Sequence, residues 1–279
     1  MIYLTSDVSL FRPDYLEALM DFRLIDDDFM TIALEDKDCL ELILSLILHR
    51  HISIKKFFNQ RVLKNLYGRD VKMDILAITD DNRYINIEVQ RSNFGAHFKR
   101  ARYHQSLIDA SITVTNEQWQ DIPSVCVIFF TEHDYLRKGL SLYHINRTLE
   151  ETGEHIQDET QLIYVNASIQ DDTPIGRLVH DFMCRDYHDM YYEVLRNRVR
   201  YFKESEGDKL KMCKIMDDIR RKGEEEGWKK GVHDGEIKTK INIALKLMAK
   251  QNITFEEAMN LLDVCEDEQQ IYRKMIFSS

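Results

Sequence analysis

No hydrophobic stretch in this sequence is long enough to span a bilayer. The longest apolar run, around residues 40–48, is broken by Glu41 and flanked by charges, well short of the ~20 apolar residues a spanning helix needs. It reads as a core helix, and no membrane partner is expected. The first fifteen residues lack a basic region followed by an apolar run and a small-residue cleavage site, so a cytoplasmic location is expected. Cysteine pairing is missing too. Cys39, Cys126, Cys184, Cys213 and Cys265 stand far apart, with no CxxC pair and no histidine in a ligand pattern beside them; they read as free, mostly buried thiols rather than a zinc site. Net positive charge is also lacking. Thirty-eight Lys and Arg face 48 Asp and Glu, a formal charge of -10, which excludes nucleic-acid binding by bulk attraction alone. A local basic groove, or a site whose positive charge arrives as a metal ion, remains compatible with that total.

The 279 residues are 44% hydrophobic, enough for one large domain or two smaller ones. DKDCLELILSLILHR has apolar residues at helical spacing, acids in its first turn and a basic end, matching the helix dipole at both termini. ISIKKFFNQRVLK, VKMDILAIT and YINIEVQ are rich in β-branched and aromatic residues, with the polar turn TDDNR between the last two; a β-meander is expected. FGAHFKRARYHQSLIDASI returns to helical spacing, and after Pro123 the continuous apolar run PSVCVIFFTE suits a strand covered on both faces. LSLYHI and QLIYVNAS read as further strands, and residues 174–203 as one or two helices closing over the sheet. Beyond them the chain is dense in both charge signs, with Gly223, Gly227, Gly231 and Gly235 at four-residue spacing. Such a stripe fits either a solvated helical linker or a close helix–helix seam. Residues 241–275 read as a helical pair or triplet whose second helix starts at a capping box, Thr254 with Glu257. Their helix-turn-helix outline offers acids where a DNA reader needs arginine or lysine, so self-association or packing back on the linker is the simpler reading.

The strands of the meander carry the chemistry. Side chains alternate along a strand, so Lys72, Asp74, Leu76 and Ile78 share one face, and Tyr84, Asn86, Glu88 and Gln90 share a face of the next. A turn centred on Asp81 sets Asp74 opposite Glu88, with Cβ atoms about 5 Å apart, where like charges are destabilising unless a cation lies between them. Hard oxygen ligands with room for water favour Mg²⁺ or Mn²⁺. A metal held this way can bind a scissile phosphate and lower the pKa of a bound water. Gln90 would face the same site and orient that water, but its amide cannot act as a base. The alternative is an ordinary hairpin whose acids face solvent, and spacing alone slightly favours it, because D-x(13)-E-x-Q is a weak pattern.

The order of a helix, a strand with Asp, E-x-Q on the next strand and a basic helix resembles the PD-(D/E)XK nuclease core. More closely, DVKMDILA, INIEVQ, RARYHQSLID, VIFFTEHD, YHINRT, IYVN and HDFMCRDYHDMYYEVLRNRVRYFK resemble the PD-(D/E)XK family of transposases and recombination-promoting (Rpn-type) nucleases, across most of residues 22–240. The resemblance implies a three-layer α/β, restriction-endonuclease-like core with a central mixed sheet and a C-terminal helical extension. It implies that Asp74 and Glu88 are metal-binding acids and that Gln90 stands where the wider superfamily has lysine. Met73 replaces the proline of the motif. An additional acid from the first helix is common in the superfamily, and Asp38, Glu41 or Asp28 are the candidates here. If Asp74 faces Glu88, Lys72 falls opposite Gln90, where its ammonium could fill the space of the missing lysine; shielding of a neighbouring acid is the equal alternative.

After the motif, Arg91, His97, Lys99, Arg100, Arg102 and His104 cluster with Phe94, Phe98 and Tyr103. On a helix Phe98, Arg102 and Gln105 form one stripe and Lys99 with Tyr103 the next, so Arg91, Lys99, Arg100 and Arg102 are candidates for DNA phosphate contacts. The expected organisation is a nuclease-like domain over residues 1–205, a charged linker over 206–240 and a helical tail over 241–279 through which the chain could form homo-oligomers. The expected activity is Mg²⁺-dependent hydrolysis of DNA phosphodiesters by an endonuclease. Its rival is a catalytically silent fold of the same kind used to bind DNA or protein, and an RNA-directed nuclease is a third option.

Overall fold

A computed structural model describes residues 19–65, 68–91, 95–116, 118–204, 206–264, 269, 272 and 273. Phe94 and Cys265 lie outside these residues. Two compact units divide between residues 212 and 213.

The first unit is built on a six-stranded mixed sheet in the order β1-β2-β3-β4-β6-β5. β1 (Ile54–Leu63), β2 (Val71–Thr79) and β3 (Tyr84–Gln90) form the expected antiparallel meander. Ile78 pairs with Tyr84, so the turn is centred on Asp81. Asn82 takes a positive φ there, a conformation that Asn tolerates better than most residues. β3 then runs parallel to β4 (Val125–Thr131), and β4 parallel to β6 (Thr160–Asn166), while β5 (Leu142–Ile145) closes the far edge antiparallel to β6.

Helices cover both faces. Ahead of the sheet lie α1 (Asp27–Ala33) and α2 (Lys37–Ile47); α3 (Phe98–Ile112) joins β3 to β4, and α4 (Pro174–Met183) and α5 (Glu193–Glu204) follow β6. Asp36 caps α2 by accepting from the Cys39 N–H at 3.0 Å, and its inward stripe is Cys39, Leu40, Ile43, Leu44 and Ile47. Successive side chains of β4 point to opposite sides. Phe129 stacks on Tyr164 with centroids 5.5 Å apart, within the α3 layer's core, whereas Phe130 stacks on Phe182 of α4 at 4.6 Å. All seven β4 residues are buried, as a strand enclosed on both faces requires. The architecture is α/β with three layers. The free thiols Cys39 and Cys126 are buried and Cys184 is partly so; burial pushes all three thiol pKa values up.

The second unit contains most of α6 (Glu206–Gln251), a helix that runs through the whole glycine stripe, and α7 (Phe255–Asn260). A Cβ at Gly227, Gly231 or Gly235 would meet open space. The capping box forms as expected, with the Glu257 N–H donating to Thr254 Oγ1 and the Thr254 N–H to Glu257 Oε2. Phe255, Ala258 and Met259 pack with Ile237 and Ala244 in a small core of their own. Among the described residues no helix is long and apolar enough to cross a membrane.

Candidate active site

Regular pairing of β2 with β3 ends at Ile75 and Ile87, and past that point the two acids take over. The Asp74 N–H donates to Glu88 Oε1 at 3.2 Å, and the Val89 N–H donates to Asp74 Oδ2 at 3.0 Å. Each carboxylate thus satisfies a backbone donor of the opposite strand, a consequence of placing two acids at facing positions where the strands part. The solvent-facing hairpin is excluded, because Glu88 has 0% exposure.

Glu88 is held from several directions. Its Oε1 also accepts from Asn86 Nδ2 at 2.9 Å, and its Oε2 accepts from Arg100 Nη2 at 3.1 Å. Burial pushes its pKa up to about 8, the neighbouring Asp74 charge adds to the rise, and the bonds from Asn86 and Arg100 oppose it. A buried carboxyl beside a second carboxylate favours its neutral form for both reasons.

Arg100, expected to contact DNA, places its guanidinium within the acid cluster. Nη1 donates to Gln90 Oε1 at 3.0 Å and to the Gly95 carbonyl at 3.3 Å, while Nε donates to His104 Nε2 at 3.3 Å. Because arginine only donates, His104 Nε2 must accept, which leaves its Nδ1–H to donate to Asn86 Oδ1 at 3.0 Å. The ring is therefore neutral. Burial and the Arg100 charge lower its pKa to about 4, so its 3.5 Å approach to Glu88 is not an ion pair at neutral pH. Asn86 completes the chain by donating to the Ile75 carbonyl at 3.0 Å. The local sequence explains the arrangement. His97 caps α3, its Nδ1 accepting from the Lys99 N–H at 3.0 Å, and the four-residue spacing of Arg100 and His104 sets both on one helix face. Gly95 makes room, since a Cβ there would come within 1.6 Å of Gln90 Oε1.

The other expected site residues separate. Lys72 is exposed, lining a cleft of about 640 Å³ together with Arg69, His97, Lys99, Arg100 and His104. The cation in contact with Glu88 and Gln90 is Arg100, not Lys72. Arg91 is drawn into a separate ion-pair cluster, 3.2 Å from Asp26 and 3.0 Å from Glu132, which also bind Arg23. Lys99 and Arg102 are exposed on α3. Of the additional acids, Asp38 is exposed, Glu41 accepts from the Ile54 N–H at 2.7 Å, and the Asp28 side chain lies outside the described residues. Sequence reasoning missed Asn86 and His104 as partners of Glu88. The signal was present: Asn86 precedes Glu88 by two on the same strand face, and an asparagine in such a buried strand needs a polar partner.

Among the described residues no cluster of three or more His, Cys, Asp or Glu side chains is arranged to hold a metal ion. Two carboxylates nevertheless fit Mg²⁺ or Mn²⁺, because Mg²⁺ keeps several waters and is commonly held by one or two carboxylates. The repulsion that raises the Glu88 pKa is what a cation would relieve. A model of the PD-(D/E)XK nuclease family transposase matches residues 33–172, half of the chain. No curated protein and no solved structure matches. The matched segment runs from the end of α1 past β6 and includes both acids, and on that match the chain belongs to the PD-(D/E)XK nuclease family of transposases.

Proposed function

We propose that this chain is a metal-dependent endonuclease hydrolysing DNA phosphodiester bonds, with Asp74 and Glu88 as the ligands of Mg²⁺ or Mn²⁺. One observation carries the reading: Glu88 is fully buried beside Asp74, yet every bond it makes stabilises its ionised form. When bound, the ion would supply Lewis acidity to the scissile phosphate and lower the pKa of a ligated water. The chain's residues do the rest. Arg100, clamped between Gln90 and Glu88, sits where negative charge would grow on the phosphate, taking the place of the motif lysine. Its bond to Gln90 Oε1 orients that amide with Nε2 left to donate to a water or phosphate oxygen. His104 and Asn86 fix the Arg100 and Glu88 positions without exchanging protons at neutral pH. Lys72 and Lys99 line the cleft and are suited to flanking phosphates. All of these residues fall within 1–205, to which catalysis is assigned.

The silent-fold reading draws on Arg100, whose guanidinium already bonds Glu88 without any ion. Nicking of supercoiled plasmid in Mg²⁺, Mn²⁺ or EDTA separates the two. Metal-dependent nicking by the wild type, lost at least a hundredfold in folded Asp74→Ala and Glu88→Ala, supports the nuclease. No nicking, together with no metal-induced rise in melting temperature, supports the silent fold.

A further inference from the structure

The flank of α3 turned away from the acid cluster borders a second cleft, of about 490 Å³, within the ~300–1,000 Å³ of small-ligand sites. Its walls are unlike those of a backbone-binding groove. Phe98, Leu136, Ile145 and Leu162 make it apolar, while Lys99, Arg102 and Arg147 supply cations and no acid among the described residues lines it. Arg147 is committed to Asp158; Lys99 and Arg102 are exposed. On a chain of net charge -10 this is a local reversal of sign. Lys99 lines both clefts, so a polyanion lying across the acid cluster continues over Lys99 into the apolar one.

Phe98 is the distinctive feature. Its ring meets Tyr135 edge-on at 5.4 Å and Tyr164 edge-on at 5.6 Å, and Tyr135 stacks on Tyr164 at 5.6 Å. The ring is thereby fixed in orientation while Phe98 remains 44% exposed. A rigid, half-exposed aromatic beside cations suits a nucleobase stacked on the ring with its phosphate on lysine or arginine. Paired bases in a duplex keep their faces against one another, so only an unpaired or flipped nucleotide can use such a surface.

We infer that the Phe98 cleft binds one unpaired base of the nucleic-acid strand that crosses the Asp74–Glu88 site, giving the protein a preference for single-stranded or locally unpaired DNA. The inference rests on the nucleic-acid reading of the neighbouring site. Asn146 and Thr160, also in the lining, are the polar groups available to the edge of that base.

The test uses the full chain in EDTA, so that nothing is cut, and fluorescence anisotropy with three labelled DNA probes: a single strand, a fully paired duplex, and the same duplex with one bulged nucleotide. The single strand and the bulged duplex are expected to bind at least tenfold tighter than the paired one. Phe98→Leu keeps apolar bulk against Tyr135 and Tyr164 but removes the stacking face; roughly a tenfold loss on the unpaired probes alone is expected, as removing a stacked aromatic typically gives. Arg102→Ala should weaken all three probes alike. Equal affinity for paired and bulged duplex, or a preference that survives Phe98→Leu in a protein of unchanged melting temperature, overturns the inference. Plasmid nicking without any preference refutes the base site alone, whereas a Phe98-dependent preference with no nicking in Mg²⁺ or Mn²⁺ refutes the nuclease alone.

Discussion

Raising the pH from 7 to 9 should destabilise the metal-free protein through Glu88. Its folded-state pKa of about 8 stands above its ordinary value of 4.5. Between those values the folded chain holds a proton that the unfolded chain has released. Stability therefore falls as pH rises through this window and levels off above the folded pKa. The slope approaches about 1.4 kcal/mol per pH unit, so most of a unit's worth, roughly 1–1.5 kcal/mol, is lost between pH 7 and 9. For a unit of this size that is a fall of about 2–6 °C in melting temperature. The window avoids His104, whose lowered pKa of about 4 confines its own contribution to pH below about 6.5. The assay is thermal melting at both pH values in EDTA for wild type and Glu88→Gln, which has no proton to lose. The difference between the two profiles isolates Glu88. Adding Mg²⁺ should shrink the wild-type loss, since an ion binding to the ionised carboxylate stabilises the form that high pH creates. Parallel profiles for wild type and Glu88→Gln would refute the account of a buried, neutralised Glu88.

Gly95→Ala forces the Gln90 amide out of its place, because the new Cβ would lie 1.6 Å from Oε1 and 2.6 Å from Cδ. Plasmid nicking should fall tenfold or more with little change in melting temperature, and unchanged nicking would show that the Arg100–Gln90 contact is dispensable. Lys203→Met removes an ammonium that is 2% exposed and donates to the carbonyls of Met20, Phe22 and Arg185; stranding those acceptors should cost about 3 kcal/mol or more in urea unfolding, and a loss below ~1 kcal/mol would mean that water replaces the ammonium. Gly176→Ala brings a Cβ to 2.1 Å from the Asp171 carbonyl oxygen at the start of α4, and a melting temperature equal to wild type would contradict so close a backbone approach.

The meander, the helix joining β3 to β4 and the enclosed β4 were legible because hydrophobic period is a strong signal in segments such as VKMDILAIT and PSVCVIFFTE. The register followed from placing the turn at Asp81, and that alone brought Asp74 to Glu88. Strand alternation misled in one respect. It left a solvent-facing hairpin open for Asp74 and Glu88, whereas α3 folds over the face and buries Asn86 and Glu88 at 0% exposure; no local pattern in β3 announces a helix that arrives ten residues later. The same blind spot left Lys72 as the candidate for the lysine's place. Strand register could be reckoned across a hairpin, but the reach of Arg100 depends on how the α3 axis crosses the sheet, which its own spacing does not encode.

The burial of Glu88 bears on how such a sequence can drift. Exchange of a whole buried ion pair for well-packed apolar side chains is often neutral or stabilising, whereas removal of one partner alone is strongly destabilising. Leu or Met at position 88 alone would strand the Arg100 guanidinium, the Asn86 amide and the Asp74 N–H, so loss of the acid is uphill unless Arg100 changes with it. The acid and its donors are thus locked together, and a lineage released from selection for metal binding retains the cluster until both Glu88 and Arg100 have changed. A Glu88→Gln protein, which keeps an acceptor for those donors while losing the carboxylate, would be the natural starting point for trapping an uncut nucleic acid on this surface.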